Sequence, residues 1–496
     1  MLISTRTPPL SRRAVTARRA LLAVPVVALG VSAAVVIPGL GDEPYSLQRY
    51  KSRPDLRPPK VEIVKGHAAA GNGYIFVAPK NGPGPAGPMI LDRRGRVVWF
   101  KHLPKRITAF DFKPARLNGK PVLTWWEGRS NKGKGAGEDV IADSSYRELL
   151  RVPMKRGLRA NLHEFTLTPR GTALALAYNR RPADLRPVGG PRDGRAVEGV
   201  IQEIDVHTGR VVFEWHSLDH VPVGASYKEF EDKARHGYDY FHLNSVEEDA
   251  HGNLLLSARH TNAVYLIDRD TGKVRWRLGG KRSTFAMGAG TRFVAQHDAR
   301  FGPNGAISIY DNQAPPDTDR ESRAVLIGLD HRARRARLIR EYEHPRGVHS
   351  DSQGSAQFLP GRNLFVGWGG ESPFFSEFDF HGRLIFDARF RPSGTNSYRA
   401  YLMPWRGTPR RRPAIEVRHH GRDGLRAYAS WNGSTEVRAW ELLGGPGVGR
   451  LHRVAVRRRT GFETELKLGR RPEIVAVRAL GAGGKPLRQS RDVRVR

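Results

Sequence analysis

The chain has 496 residues, no cysteine, 54 glycines and 34 prolines, and its 83 Lys and Arg against 49 Asp and Glu give a formal net charge of +34. This length is too great for one ordinary core unless the core grows by repeated units, and the lack of cysteine excludes disulfides, thiolate metal sites and a cysteine nucleophile. The charge favours anionic partners, but the basic runs lack the interleaved aromatic residues of a nucleic-acid groove, so we expect no nucleic-acid partner.

The N-terminal segment, residues 1–45, has the composition of an export signal. An Arg-rich start precedes an uncharged apolar stretch from Ala20 to Leu40. That stretch is long for a signal core and just long enough to span a bilayer, with its basic end inside. We therefore expect a signal peptide or a single transmembrane anchor, and a location outside the cell or in its envelope.

A hairpin pattern recurs along the middle of the chain. Each copy is an apolar strand ending in Asp, a tight turn that usually contains Gly, and a second strand, as in "VYLIDRDTGKVRWRL" (264–278). The Asp residues recur at intervals of 49 to 63 residues, at Asp92, Asp143, Asp205, Asp268, Asp330 and Asp379. A second hairpin precedes several copies. Two hairpins per copy predict a four-stranded blade, and six copies predict an all-β fold, a six-bladed β-propeller over residues 60–405.

Polar side chains recur where the first strand of a blade is predicted to begin. His163, Asn244 and His297 each stand eight residues before a turn Gly. Because first strands line the central channel of a propeller, these side chains are expected at one rim of that channel. The period-two alternation of a strand puts His242 on the same face as Asn244.

The returning second strand of a blade ends beside the start of its first strand. This topology predicts that Arg259 lies beside Asn244, that Asn312 approaches His297 and that Asn179 approaches His163. His349 and Asp351 are expected at the same rim.

The chemistry of this cluster points to an anion. Three histidines could bind zinc, but a fixed guanidinium beside them repels a cation and attracts an anion. We therefore expect no metal. The sequence contains no phosphate-binding glycine loop, and we expect no nucleotide or other cofactor.

These residues resemble a known family, the arylsulfotransferases of the six-bladed propeller type that do not use the nucleotide donor PAPS. The resemblance covers approximately residues 60–405 and lies in "HLNSV", "SARH" and "QHDARFGPNGAISIYDN". It implies five catalytic residues: His297, which takes up the sulfuryl group, and His242, Asn244, Arg259 and His163. The chain lacks the disulfide of the enterobacterial members, and its extra domain follows the propeller, so it looks closer to the actinobacterial branch.

The resemblance implies transfer of a sulfuryl group from an aryl sulfate donor to a phenolic acceptor through a sulfohistidine. Two other functions stay open. The hairpin "IDRDTGKVRWRL" resembles the blades of quinoprotein-like redox propellers, although six copies and the rim histidines count against that function. A non-catalytic envelope propeller could bind an anionic or sulfated ligand with the same residues, and the sequence does not separate it from the enzyme. The sequence does not indicate an oligomeric state.

The composition changes after residue 411. Residues 412–496 alternate over six or seven short strands, a pattern that resembles a fibronectin-III/Ig-like β-sandwich. We expect Trp431 and Trp440 to belong to its core rather than to a ligand site.

Overall fold

The computed structural model describes residues 47–495, except 67–72, 132, 232–236, 315–317, 319, 371, 393, 421–423, 470 and 471. The fold over these residues is all-β, as predicted, and they contain no α-helix. The helical segments are short 3-10 turns at Arg186–Val188, Ser217–Asp219, Val223–Ala225, Arg259–Thr261, Pro303–Gly305 and Ala482–Gly484. No helix among the described residues is long and apolar enough to cross a membrane, and the predicted signal or anchor at residues 1–45 lies outside them.

The strands before residue 405 are mostly short and follow one another in antiparallel hairpins. The first half of this region contains β1 (Val61–Lys65), β2 (Gly73–Val77), β3 (Met89–Leu91), β4 (Val97–Phe100), β5 (Thr108–Leu117), β6 (Lys120–Asn131), β7 (Lys134–Asp143), β8 (Glu148–Val152), β9 (Phe165–Leu167), β10 (Thr172–Ala183), β11 (Gly194–Asp205), β12 (Val211–His216) and β13 (Tyr238–Asp239). The second half contains β14 (Leu243–Glu248), β15 (Leu254–Ala258), β16 (Ala263–Ile267), β17 (Val274–Gly279), β18 (Ala286–Met287), β19 (His297–Phe301), β20 (Ile307–Asp311), β21 (Arg323–Asp330), β22 (Arg335–Glu343), β23 (Ser355–Phe358), β24 (Leu364–Gly367), β25 (Phe374–Phe378), β26 (Leu384–Phe390) and β27 (Ala400–Pro404).

Most of these strands build six sheets, each with four antiparallel strands in the order of a meander. β13 and β18 are added in parallel, β13 beside β11 and β18 beside β22. Five sheets are continuous in sequence: β5 to β8, β9 to β12, β14 to β17, β19 to β22 and β23 to β26. The sixth joins distant parts of the chain, because β27 pairs with β2 beside β3 and β4. β1 likewise pairs with β26.

The repeated Asp residues hold the turn between the third and fourth strands of each sheet. In the first copy, the carboxylate of Asp92 accepts the main-chain N–H groups of Arg94 and Arg96, and Gly95 takes the left-handed conformation with φ +70°. The other five Asp residues accept main-chain N–H groups of their own turns in the same way. The local chemistry of the repeat therefore fixes the outer hairpin of every sheet.

The first strands of the six sheets, β5, β9, β14, β19, β23 and β27, lie side by side. Contacts run from β14 through β19 and β23 to β27, and from β27 through β5 to β9, while β14 also contacts β10. Buried apolar residues fill the space between neighbouring sheets; Trp215, Phe241 and Leu256, for example, share one cluster. The starts of the first strands are thus brought close together.

The last part of the chain forms two further sheets. Their strands are β28 (Ala414–His419), β29 (Leu425–Ser430), β30 (Ala439–Gly445), β31 (His452–Arg458), β32 (Glu463–Leu468), β33 (Ile474–Leu480), β34 (Pro486–Gln489) and β35 (Val493–Arg494). One sheet has the order β28-β29-β32, and the other contains β31-β30-β33-β34 with β35 beside β33. Trp440, 1% exposed, lies in the core that both sheets share, and Trp431 packs against that core.

Direct contacts link this last part of the chain to β4 and to the turn between β7 and β8. The side-chain amide of Asn432 both accepts from and donates to the main chain of Phe100, at 3.0 Å in each direction. The hydroxyl of Tyr146 donates to the carbonyl oxygen of Gly433 at 2.6 Å.

Candidate functional site

Three histidines stand at the starts of first strands. His163 lies just before β9, His242 just before β14, and His297 is the first residue of β19. Two of these strand starts leave the regular ladder: His242 has φ +54°, and the pairing of β19 with β20 slips between His297 and Arg300. Such bulges turn a strand locally and re-aim its side chains. The irregular starts thus direct the imidazoles towards one another.

The structure brings these imidazoles together from three sheets. The ring centroids of His163 and His242 are 5.1 Å apart, and those of His163 and His297 are 6.4 Å apart. A fourth ring, that of His260, lies 4.6 Å from His242. His163 and His297 are almost fully buried, and His242 and His260 are slightly exposed.

Each of the four imidazoles is held through Nδ1 by an oxygen acceptor. Nδ1 of His297 lies 2.7 Å from Oδ1 of Asn312, and Nδ1 of His163 contacts Oδ1 of Asn161. Nδ1 of His242 lies 2.8 Å from a carboxylate oxygen of Asp239, and Nδ1 of His260 lies 2.6 Å from the main-chain oxygen of the same residue. Because these oxygens only accept, each Nδ1 carries the proton and each Nε2 keeps its lone pair.

The orientation of the Asn312 amide is fixed independently. Its Nδ2 donates to the carbonyl oxygens of Ser350 at 2.8 Å and Gln353 at 3.0 Å, so its oxygen must face His297. The main-chain N–H of Gln353 in turn donates to Nε2 of His297 at 3.3 Å. Both contacts agree with a lone pair on Nε2.

The surroundings keep these imidazoles neutral at pH 7. Burial, with a smaller effect from Arg259, lowers the pKa of His297 to about 3. Burial is also the main reason that the pKa values of His163, His242 and His260 lie well below the ordinary value of histidine. A neutral imidazole whose Nε2 carries no proton can act as a nucleophile or a base.

Arg259 supplies the positive charge of the cluster. Its Nη1 donates to Nε2 of His260 at 3.3 Å, and its Nη2 donates to the main-chain oxygen of Asp351 at 2.7 Å. Its Nε is buried and has no hydrogen-bond partner among the described residues. Burial lowers the pKa of Arg259, but a guanidinium remains a cation at neutral pH. Arg259 therefore keeps donors for an anion.

Asn244 joins the cluster through the backbone. Its Nδ2 donates to the main-chain oxygen of Gln296, the residue before His297, at 2.8 Å. Its Oδ1 is buried without a hydrogen-bond partner among the residues that the structure describes. Asn244 thus fixes the start of β19 and presents an acceptor as well as a second amide hydrogen.

One expected contact is wrong. Asn312 approaches His297 as predicted, but Asn179 donates to Glu198 at 2.9 Å instead of approaching His163. The preceding residue, Tyr178, lies there: its ring centroid is 5.6 Å from His163 and 5.4 Å from His242. The reason is that β10 extends to Ala183, so side chains still alternate between its two faces at this point, and Tyr178 faces the histidines where Asn179 faces away. Asn312 comes after the end of β20, and strand alternation does not determine its direction.

Sequence reasoning missed several residues of this cluster. Tyr398 has a buried hydroxyl without a partner among the described residues, and its ring lies 5.7 Å from His163 and 6.5 Å from His297. Asp239 and Asn161 precede His242 and His163 by three and two residues. A short Asp-x-x-His or Asn-x-His spacing was their only signal. His349, by contrast, lies at the margin, with Nε2 2.9 Å from the carboxylate of Asp351.

A buried ionic network lies next to the cluster. Arg399 donates to Asp111 at 2.8 Å, to Glu164 at 3.0 Å and to the main-chain oxygen of Asn244 at 2.8 Å. Glu164 follows His163 directly in sequence, so the network fixes the strands that carry the site. Burial alone would raise the pKa of Glu164, but nearby cations hold it well below its ordinary value.

Lys113 and Arg300 complete this network. Lys113 contacts both Asp111 and Glu164, and Arg300 donates to Glu164 at 2.5 Å and to Asp298 at 2.6 Å. The three cations, Lys113, Arg300 and Arg399, thus balance three carboxylates. Arg259 is not one of them, and the nearby carboxylate of Asp239 offsets part of its charge.

Several solved structures show a weak likeness to this chain. Among solved structures, a protein of unknown function from Bacteroides caccae matches with a TM-score of 0.42 and 13% identity, over 67% of this chain and 99% of that one. A protein from Lactobacillus plantarum matches with 0.35 and 10%, over 80% and 99%, and virginiamycin B lyase from Staphylococcus aureus with 0.29 and 10%, over 74% and 90%.

No curated protein matches the chain. A family model described as Arylsulfotransferase (ASST) matches residues 113–391, which is more than half of the chain and includes all of the histidines above. The chain belongs to the arylsulfotransferase (ASST) family.

Proposed function

We propose that the protein transfers a sulfuryl group from an aryl sulfate ester to a phenolic acceptor through a sulfohistidine at His297. One observation carries this proposal. Nε2 of His297 keeps a lone pair because Nδ1 is bound to Asn312, and burial and Arg259 hold the pKa of the imidazole at about 3, so it is an unprotonated nucleophile at neutral pH.

The reaction has two balanced halves. In the first, Nε2 of His297 attacks sulfur, an N–S bond forms, the S–O bond to the aryl oxygen breaks, and the phenolate leaves with the bonding electrons. In the second, the oxygen of the acceptor phenol attacks sulfur, the N–S bond breaks, and the phenol proton passes to a neutral imidazole. His242 has an unprotonated Nε2 for this proton. The donors of Arg259 stabilise charge on the sulfuryl oxygens.

The architecture in this proposal is a closed six-bladed propeller over residues 60–405. The six four-stranded meander sheets, the contacts between their first strands and the pairing of β27 with β2 support it. Residues 412–496 are a fibronectin-III/Ig-like sandwich, and residues 1–45 export the protein or anchor it in the envelope. The apolar stretch from Ala20 to Leu40 supports export.

Release of phenol from a chromogenic aryl sulfate tests the reaction. Donor alone should release a single equivalent of phenol and leave an acid-labile sulfuryl group on nitrogen, and an added phenol should start turnover. His297→Ala should abolish the burst and the turnover. Tight binding of aryl sulfates without any release of phenol would favour a binding propeller instead.

A further inference from the structure

We propose that Asp239 positions two residues of the site. Its carboxylate positions His242, and its main-chain carbonyl positions Arg259 through His260. The inference rests on the proposed function and adds a residue to it. Asp239 is 4% exposed. Its backbone is fixed because β13 pairs in parallel with β11, with Asp239 opposite Val197.

The carboxylate acts on His242. One oxygen of Asp239 accepts from Nδ1 of His242 at 2.8 Å, which fixes the ring orientation and leaves Nε2 unprotonated. The other carboxylate oxygen lies 3.8 Å from Nδ1 of His260 and has no hydrogen-bond partner among the described residues. His242 is the one imidazole of the four that a carboxylate holds through a hydrogen bond, since His163 and His297 bind amide oxygens and His260 a main-chain carbonyl. An imidazolium that forms at His242 is therefore stabilised by a neighbouring negative charge.

The main chain of Asp239 acts on Arg259. Its carbonyl oxygen accepts from Nδ1 of His260 at 2.6 Å, so Nε2 of His260 is a lone pair. This lone pair accepts from Nη1 of Arg259 at 3.3 Å, while Asp351 holds Nη2. The guanidinium is thereby fixed in place with Nε free of protein partners among the described residues.

The same three side chains also have the spacing of a cation site. The ligand atoms of Asp239, His242 and His260 lie within 4.8 Å of one another. The imidazoles, however, direct their Nδ1 protons at Asp239, and the guanidinium of Arg259 contacts His260. A fixed positive charge at this distance opposes a bound cation. We therefore infer that Asp239 positions the two imidazoles and does not bind a metal, and the experiments below include a measurement of bound metal.

His242 and His260 contact different atoms of Asp239, so variants can test the two contacts separately. Asp239→Ala removes the carboxylate but keeps the main-chain carbonyl that holds His260. We expect kcat to fall about a hundredfold, the range of a positioned acid–base group, while KM for the donor changes less than about threefold. Asp239→Asn keeps an accepting oxygen and should recover part of the rate. His260→Ala should instead raise KM for the aryl sulfate, because Arg259 loses a support.

A double-mutant cycle distinguishes positioning from a structural role. In a His242→Ala background, Asp239→Ala should lower kcat less than about threefold, since its partner is already gone. Glu214→Ala is the matched control: it removes another carboxylate that contacts an imidazole, at 3.0 Å to His216, outside the site. It should leave kcat and KM unchanged. Equal losses from Asp239→Ala in both backgrounds would overturn the proposal.

A spectroscopic readout keeps the proposal independent of activity. In protein labelled with 15N-histidine, the nitrogen shifts of His242 should report a proton on Nδ1, and Asp239→Ala should produce a mixture of tautomers. If the wild type shows this signature but never releases phenol, the proposed function fails and the positioning by Asp239 stands. A proton on Nε2 of His242 in the wild type would overturn the positioning. So would a stoichiometric metal, measured by elemental analysis, that Asp239→Ala removes.

Discussion

Replacement of Asn312 by Ala should slow sulfuryl transfer to the enzyme without changing the number of working sites. The amide of Asn312 holds the proton on Nδ1 of His297 and ties the imidazole to the segment that contains Ser350 and Gln353. Without this acceptor, the tautomer with a proton on Nδ1 leaves a buried donor unsatisfied. The competing tautomer protonates Nε2 and has no nucleophilic lone pair there.

The size of the effect follows from the lost hydrogen bond. A buried donor without a partner costs about 1–3 kcal/mol, which corresponds to a fall of about 5- to 150-fold in the population of the reactive tautomer. The assay is stopped-flow release of a chromogenic phenol from the donor alone. The rate constant of the burst should fall by this factor, whereas its amplitude, which counts folded sites, should stay near a single equivalent.

Asn179→Ala is the matched control for Asn312→Ala. Asn179 lies within β10, and the hairpin pattern of the sequence predicts for it the same role towards His163 that Asn312 has towards His297. It donates instead to Glu198, and no described hydrogen bond joins it to an imidazole of the cluster. Its burst rate constant should stay within about twofold of the wild type. An Asn312→Ala protein with full amplitude and an unchanged rate constant would refute the tautomer argument.

Three other predictions concern charge. Arg259→Lys should lose much of kcat/KM despite keeping the charge, because the planar fork is gone, and Arg259→Ala should lose about a hundredfold or more; equal activity of the Lys variant would contradict this. Since the pKa of His297 is about 3, the imidazole is deprotonated above that pH, and the second-order rate constant of the burst should be flat from about pH 5 to pH 8; an inflection near 6.5 would count against it. Arg399→Met should lower the free energy of unfolding in urea by about 3–5 kcal/mol, because buried Asp111 and Glu164 lose a cation. Arg406→Met, which breaks an exposed pair with Glu436, should leave the urea midpoint nearly unchanged.

The sequence was informative where structure depends on local chemistry. The all-β class and the Asp turns were predictable because a turn needs a side-chain acceptor and a left-handed residue within a few positions. The approach of Asn312 to His297 was predictable because a hairpin brings its two ends together.

The sequence was uninformative where a contact depends on which face of a strand a residue occupies, or on residues that are far apart in the chain. Because β10 is longer than expected, Tyr178 contacts the histidines in the place predicted for Asn179. The left-handed conformation of His242 is not indicated by the neighbouring residues in the sequence. The link from Arg399 to Asn244 spans 155 residues, and nothing in either local sequence pattern indicates it. Asp239 pairs with β11 through a two-residue strand that is too short to produce a periodic pattern.

The pairing of β2 with β27 has a consequence for biosynthesis. Val77 lies opposite Ala400, so one edge of β2 stays unpaired until nearly the whole repeat region has left the ribosome. Pairing between strands that are so far apart in sequence is slow, and an unpaired strand edge can pair with other chains until its own partner is available. A nascent chain that stops before Ala400 therefore yields an aggregation-prone product rather than a shorter folded protein. The folding yield of the full chain should depend on holdase chaperones more than that of a protein whose sheets each form from consecutive strands.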